Sequence, residues 1–163
     1  MPSINATIFH AYAYGTAFWY GLRGACRVYD PVMVSGWFRP PSQLNLAPND
    51  LELYNIRNDG WCLITLALIL VSLHNAVPLS SSPSTKLSSI PYATSIVAAT
   101  IFHHVTTAIG AYQHYKLETH YNTSMFIGVW VNVFLTIAGL VTWGTIQSGK
   151  GEESIEEITK KVR

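Results

Sequence analysis

The sequence predicts an all-α integral membrane protein, a four-helix bundle with a short interfacial helix between spans 1 and 2. Three observations carry that prediction. Only 12% of the 163 residues are charged and mean hydropathy is +0.23, whereas soluble domains are roughly 25% charged. Four stretches, about 4–28, 51–74, 91–115 and 123–146, each have the length of about 20 residues needed to cross a hydrocarbon layer about 30 Å thick. Within each stretch the polar residues recur at steps of three or four, which places them on one helical face. Residues 1–149 are thus read as a four-span membrane domain and 150–163 as a charged cytosolic tail.

The first span, Ile4 to Val28, carries Gly15, Gly21 and Gly24 for close helix approach, and Tyr12, Thr16, Trp19, Arg23, Arg27 and Asp30 form its polar stripe. Asp30-Pro31 restarts a helix, with Asp as the N-cap and Pro at the first position, and Arg39-Pro40-Pro41 stops it. The short apolar piece between them, VMVSGWF, is expected to lie over one end of the bundle at the interface. Asn49 and Asp50 behind Pro48 start the second span. Its front half places Glu52, Asn55, Asp59 and Cys62 on one face, predicted to turn inward, and Tyr54, Arg57 and Trp61 on another; beyond Trp61 the run is almost wholly apolar to Leu73. Pro78 to Ser89 is Ser/Pro-rich and is expected to be an exposed loop. Thr100, His103, Thr107, Gly110 and His114 make the stripe of the third span, and Gly128, Asn132, Thr136 and Gly139 the packing seam of the fourth. The pairs Glu156/Lys160 and Glu157/Lys161 support a short solvated helix in the tail.

Several function classes are excluded. A net charge of +1 without a basic run or face leaves nothing to neutralise phosphates, so no nucleic-acid partner is expected. Cys26 and Cys62 have no metal spacing and are expected as buried small residues. His103-His104 with His114 ten residues on lacks the boxes of membrane di-iron enzymes, so neither metal nor other cofactor is expected. Glycine-rich phosphate loops, a GxSxG elbow and a basic signal-peptide start are also missing. Broken-helix pairs and an inverted repeat, which a transporter would carry, are not found.

Alternation of the four spans gathers Arg23, Arg27, Asn55, Arg57, Asp59, Tyr112 and His114 at one side, with His103 and Asn132 deeper. Ionisable groups at membrane depth are costly unless they face an interior or a water-filled cavity. The pattern therefore reads as a polar funnel able to exchange protons with a lipophilic substrate. Bland roles stand beside this one: Arg57 and Asp59 at the headgroup interface, and His103 hydrogen-bonded to Asn132 or a Thr to lock helices, with His104 a packing residue.

The segments SGWFRPP, LYNIRNDGWCLITLALIL and IFHHVTTAIGAYQHY resemble small four-span membrane proteins of fungal natural-product gene clusters, in particular the epoxide hydrolase/cyclase proteins of polyene-pyrone pathways of the citreoviridin and aurovertin type. The resemblance implies acid/base opening of a polyene-derived epoxide, by water or an internal hydroxyl. Asp59, Arg57, His114 and His103 are then the candidate catalytic residues. Arg23, Arg27, Tyr54, Asn55, Trp61, Tyr112 and Asn132 are the candidate substrate contacts. The competing expectation is a non-catalytic scaffold of the endoplasmic reticulum membrane that tethers biosynthetic enzymes.

The final KKVR resembles the dilysine signal that returns membrane proteins to the endoplasmic reticulum, and it puts both termini in the cytosol. Exchanging Lys160→Ser together with Lys161→Ser is expected to let the protein leave that compartment, as followed by fluorescence microscopy. Unchanged localisation would show the two lysines to be incidental.

Overall fold

A computed structural model of the chain describes residues 4–74 and 83–162, with side chains over 6–73 and 90–148. Its described residues form five α-helices: α1 (Ile4–Tyr29), α2 (Pro31–Phe38), α3 (Asp50–His74), α4 (Pro83–Tyr115) and α5 (Thr123–Val162), with a 3₁₀ turn at Pro41–Gln43. The helix starts follow local chemistry. Asp30 Oδ1 accepts from the Met33 amide at 2.9 Å, with Pro31 behind it at the first helical position. At α3, Asn49 Oδ1 accepts from the Glu52 amide at 2.9 Å while Glu52 Oε2 accepts from the Asn49 amide at 2.8 Å, a reciprocal capping box. Asn122 caps α5 through the Met125 amide at 2.8 Å, and its Nδ2 donates to the Arg39 carbonyl at 3.3 Å, which fastens the end of α2 to the start of α5.

Two antiparallel pairs, α1 with α3 and α4 with α5, make the bundle, and α1 packs on α5 to join them. Gly24 and Gly60 mark the tightest crossing of the first pair. A Cβ on Gly60 would lie 2.8 Å from Arg27 Cβ and 3.0 Å from the Gly24 carbonyl oxygen, and one on Gly24 would lie 2.8 Å from the Gly60 oxygen. Gly139 of α5 plays the equivalent part toward the other helices, where an added Cβ would meet Ile101 at 2.6 Å and Tyr12 Oη at 2.8 Å. Gly15 has nothing within 4 Å, so of the three glycines expected to bring α1 close to a neighbour it is Gly24 that does so most tightly. The buried side chains Phe9, Ala13, Ala17 and Tyr20 of α1, Leu63 and Leu70 of α3, and Ile96 and Val97 of α4 form one continuous core.

Several expectations are corrected. The inward face of α3 is Gly60, Leu63, Ala67 and Leu70, while Asn55 and Cys62 are exposed, so the polar front half does not turn inward. Glycine at position 60 decides this: α3 closes on α1 where the side chain is smallest. Of the loop expected at 78–89, positions 83–89 already belong to α4 and 78–82 lie outside the described residues. Pro91 is accommodated inside that helix. The charged tail is not a separate helix but continues α5 through residue 162.

Among the described residues two helices, over Asp50–Leu73 and Thr123–Ser148, are long and apolar enough to cross a membrane, not the four the sequence predicts. α1 and α4 have the length, but Arg23 and Arg27 in the one and the Thr, Ser and His residues of the other lower their hydropathy.

Overpacking a close helix crossing costs about 1–3 kcal/mol, and Gly60→Ala is expected to lower the thermal midpoint in detergent accordingly. Gly110→Ala, whose Cβ would meet nothing within 4 Å, is expected to be neutral or to stabilise by up to about 1 kcal/mol. Equal midpoints for the two variants would remove the glycine crossing from its place in the fold.

Candidate functional site

The Gly24–Gly60 crossing sets Asp59 beside the last turns of α1. Arg27 Nε meets Asp59 Oδ2 at 2.6 Å; the arginine side chain is 5% exposed and the aspartate side chain 55%. Arg27 also donates from Nη1 to the Arg23 carbonyl at 3.1 Å, and its guanidinium lies 5.3 Å from the ring centre of Phe38 in α2. Arg23, one turn earlier, places its guanidinium 5.7 Å from the ring centre of Trp19. Its Nη1 is buried and has no hydrogen-bond partner.

Arg57 is exposed, and among the described residues the ion pairs are Arg27–Asp59 and Arg39–Glu52. Residues two positions apart on a helix lie about 200° apart around the axis, which is why Arg57 cannot share the environment of Asp59.

Deeper in the bundle a hydrogen-bonded chain joins three helices. Tyr20 Oη lies 3.3 Å from His104 Nε2, His104 Nδ1 lies 3.0 Å from Asn132 Oδ1, and Asn132 Nδ2 donates to the Gly128 carbonyl at 2.6 Å. An amide oxygen only accepts, so His104 donates from Nδ1, and in that tautomer its Nε2 accepts from the Tyr20 hydroxyl. The sequence had offered His103 as the partner of Asn132; the adjacent histidine takes that place. His104 and Asn132 are 0% and 1% exposed, so the chain replaces the water these groups would otherwise require. Below it Tyr12 donates to Thr100 Oγ1 at 2.9 Å.

His103 stands beside this chain. Its ring meets the Tyr20 ring edge-on with centroids 4.8 Å apart, and its Nε2 is buried without a hydrogen-bond partner. It also lines a groove of about 230 Å³ between α3 and α4, walled by Leu66, Leu70, Leu73 and Ile96 and ending at Tyr20, Thr100 and His103. The groove surface is apolar, and Tyr20 and His103 line it at the end nearest α1 while the His103 Nε2 atom is buried behind it.

The other residues singled out from the sequence are dispersed. Tyr54, Asn55 and Trp61 are exposed along the outer side of α3, and Tyr112 and His114 are exposed near the end of α4. His114 stacks on His120 at 5.7 Å and lies 11 residues past His103, about 16 Å along the helix. Among the described residues no three His, Cys, Asp or Glu side chains converge to hold a metal. The sequence reading missed Tyr20, although Tyr12, Thr16 and Tyr20 follow one another at strict i+4 spacing on the inward side of α1.

Breaking an ion pair while one partner stays buried is destabilising, here by about 1–3 kcal/mol because Asp59 retains water. Asp59→Asn is expected to lower the thermal midpoint and the yield, and Arg27→Leu combined with Asp59→Leu to recover most of the loss. A double variant no better than Asp59→Asn would show that the pair is not what Asp59 contributes.

No curated protein and no solved structure matches the chain. A family model described as a domain of unknown function, DUF8792, matches residues 12–155. That match runs from the middle of α1 through all of α2, α3 and α4 and most of α5, and the chain belongs to the DUF8792 family.

Proposed function

We propose that this chain is a small membrane enzyme whose four spans are α1, α3, α4 and α5, and that it opens an epoxide on a lipophilic, polyene-derived substrate by hydrolysis or cyclisation. The direction of the side chains supports four spans. In α1 and α4 the polar residues Thr16, Arg27, Thr100 and His104 are buried, whereas Phe18 and Phe102 are 70% and 71% exposed. Only 22% and 33% of the apolar windows of α3 and α5 are buried. Apolar surface of that extent on every long helix needs lipid rather than water around it. Val32, Met33 and Phe38, exposed on α2, fit an interfacial helix. Residence in the endoplasmic reticulum with cytosolic termini remains part of the proposal and rests on KKVR.

The observation that carries the enzymatic reading is the apolar groove between α3 and α4, whose lining includes Tyr20 and His103, with the two rings in edge-on contact and an unpartnered, buried His103 Nε2 behind that lining. Its rim residues Ile69 and Tyr92 are exposed, so a lipophilic chain can enter sideways from the bilayer. His103 takes a proton from water or a substrate hydroxyl, whose oxygen attacks one epoxide carbon. The C–O bond at that carbon breaks, and the Tyr20 hydroxyl turns from His104 to give its proton to the departing oxygen. Return of the proton from His103 to the Tyr20 phenolate closes the cycle: epoxide plus water yields a diol, and a hydroxy-epoxide yields a cyclic ether. Asp59 serves by holding Arg27, not as a proton carrier.

A second reading, a membrane scaffold for pathway enzymes, is favoured by the internal pairing of Arg27 with Asp59 and of Tyr20, His104 and Asn132. Microsomes containing this chain alone, given polyene epoxides and assayed by mass spectrometry, separate the two. His103→Gln at normal protein level is expected to lose the 10²–10⁴-fold in turnover typical of a missing general base. Undiminished turnover in that variant would overturn the role of His103, and wild-type inertness toward every epoxide offered would favour the scaffold.

A further inference from the structure

The end of α1 that borders the groove holds more hydrogen-bond donors than acceptors. Trp19 Nε1 and Arg23 Nη1 are both buried without a partner, and His103 Nε2 shares that condition. An indole N–H and a guanidinium can only donate, so neither can be satisfied by rearranging toward the other. The two side chains are adjacent, with the guanidinium 5.7 Å from the indole ring centre. Charge is unbalanced in the same place. Arg23 is within electrostatic reach of Arg27, Asp59 and Tyr20, and His103 is within reach of Arg23. Two guanidinium groups therefore face one carboxylate, whose Oδ2 is already taken by Arg27 at 2.6 Å. A buried guanidinium with an unpartnered Nη1, sharing one carboxylate with Arg27 and beside a second orphaned donor, is costly in an apolar surround and is relieved by an oxyanion that accepts from both.

We infer that Trp19 and Arg23 form a receptor for the oxyanion head of an amphiphile, a carboxylate or a phosphate, whose apolar chain runs into the groove between α3 and α4. Arg23 lies one helical turn from Tyr20, which is itself part of the groove's end. Trp19 and Arg23 lie outside the groove's lining, so a chain anchored at Arg23 enters the groove past Tyr20. The inference rests on the proposed function only in assigning the chain of the ligand to that groove. It narrows the substrate class to amphiphiles that are anionic at one end, and the same donors would accept a membrane phospholipid headgroup.

The test uses the full chain in phosphatidylcholine nanodiscs and reads binding, not turnover, so it fails or succeeds apart from the epoxide assay. Laurate is expected to bind saturably and at least about tenfold more tightly than dodecanol, which has the same chain and no charge. Arg23→Gln is expected to abolish that preference. Trp19→Phe, which keeps the ring and removes the N–H, is expected to reduce it by about threefold. Should Arg23→Gln not give a monodisperse protein, Trp19→Phe decides, and an unchanged preference in it overturns the inference. In a parallel arm the nanodiscs contain phosphatidic acid, and native mass spectrometry reads what the protein retains. Phosphatidic acid kept by wild type but not by the variants assigns the site to membrane phospholipid. Retention of laurate alone assigns it to a diffusible amphiphilic carboxylate. Equal affinity for laurate and dodecanol, with no phosphatidic acid retained, overturns the inference.

Discussion

The approach of α1 to α3 at Gly24 and Gly60 is the constraint from which the remaining geometry descends. With no Cβ on either side, backbone meets backbone, and each glycine carbonyl lies where a side chain on the other helix would stand. That distance lets the short Asp59 side chain reach Arg27, and it turns Leu63, Ala67 and Leu70 toward α1. Because Tyr20 is one turn before Gly24, its ring is delivered to the centre of the bundle, where His103 and His104 meet it from α4. A larger residue at 24 or 60 would displace every one of these contacts together.

The interior has two polar systems of different kinds. One is neutral and closed: Tyr20, His104, Asn132 and the Gly128 carbonyl use their donors and acceptors on each other, and Tyr12 with Thr100 does the same one layer away. Such a chain locks helices α1, α4 and α5 against sliding, since a shift of one turn would strand several buried groups at once. The other is charged and incomplete, with Arg27 paired and Arg23 not. The proposed chemistry belongs to His103 with Tyr20, the proposed binding to the incomplete system, and the rest of the closed chain holds them in register.

Most helix starts and caps, and the inward faces of α1 and α5, were legible from the chain. The capping groups Asp30, Asn49 and the stripe Tyr12, Thr16, Arg27 on α1 sit where spacing alone put them, and Asn132 faces the bundle. These features depend on local hydrogen bonding and on a period of 3.6, both of which a sequence displays directly. Pairing was less legible. His103 and His104 are neighbours about 100° apart on one helix, and nothing in the local sequence says which of them meets a residue 28 positions further on. The partner of Asp59 is Arg27 of α1, reached through a crossing that two glycines permit, and no local spacing in the sequence marks it. Polar residues on the outer side of α3, such as Asn55, looked inward because amphipathic spacing marks a face without saying whether protein or headgroups lie against it.

The 40 residues of α5 form one uninterrupted helix, about 60 Å long, roughly twice the hydrocarbon thickness of a bilayer. Its last 14 residues, about 20 Å, continue the axis of the apolar part past Ser148 without a joint. Such a rod makes the charged end a lever: each degree of tilt taken up by the apolar part swings the far end sideways in proportion. In the membrane setting proposed above, the distance of the terminal lysines from the bundle is therefore set by the tilt of α5.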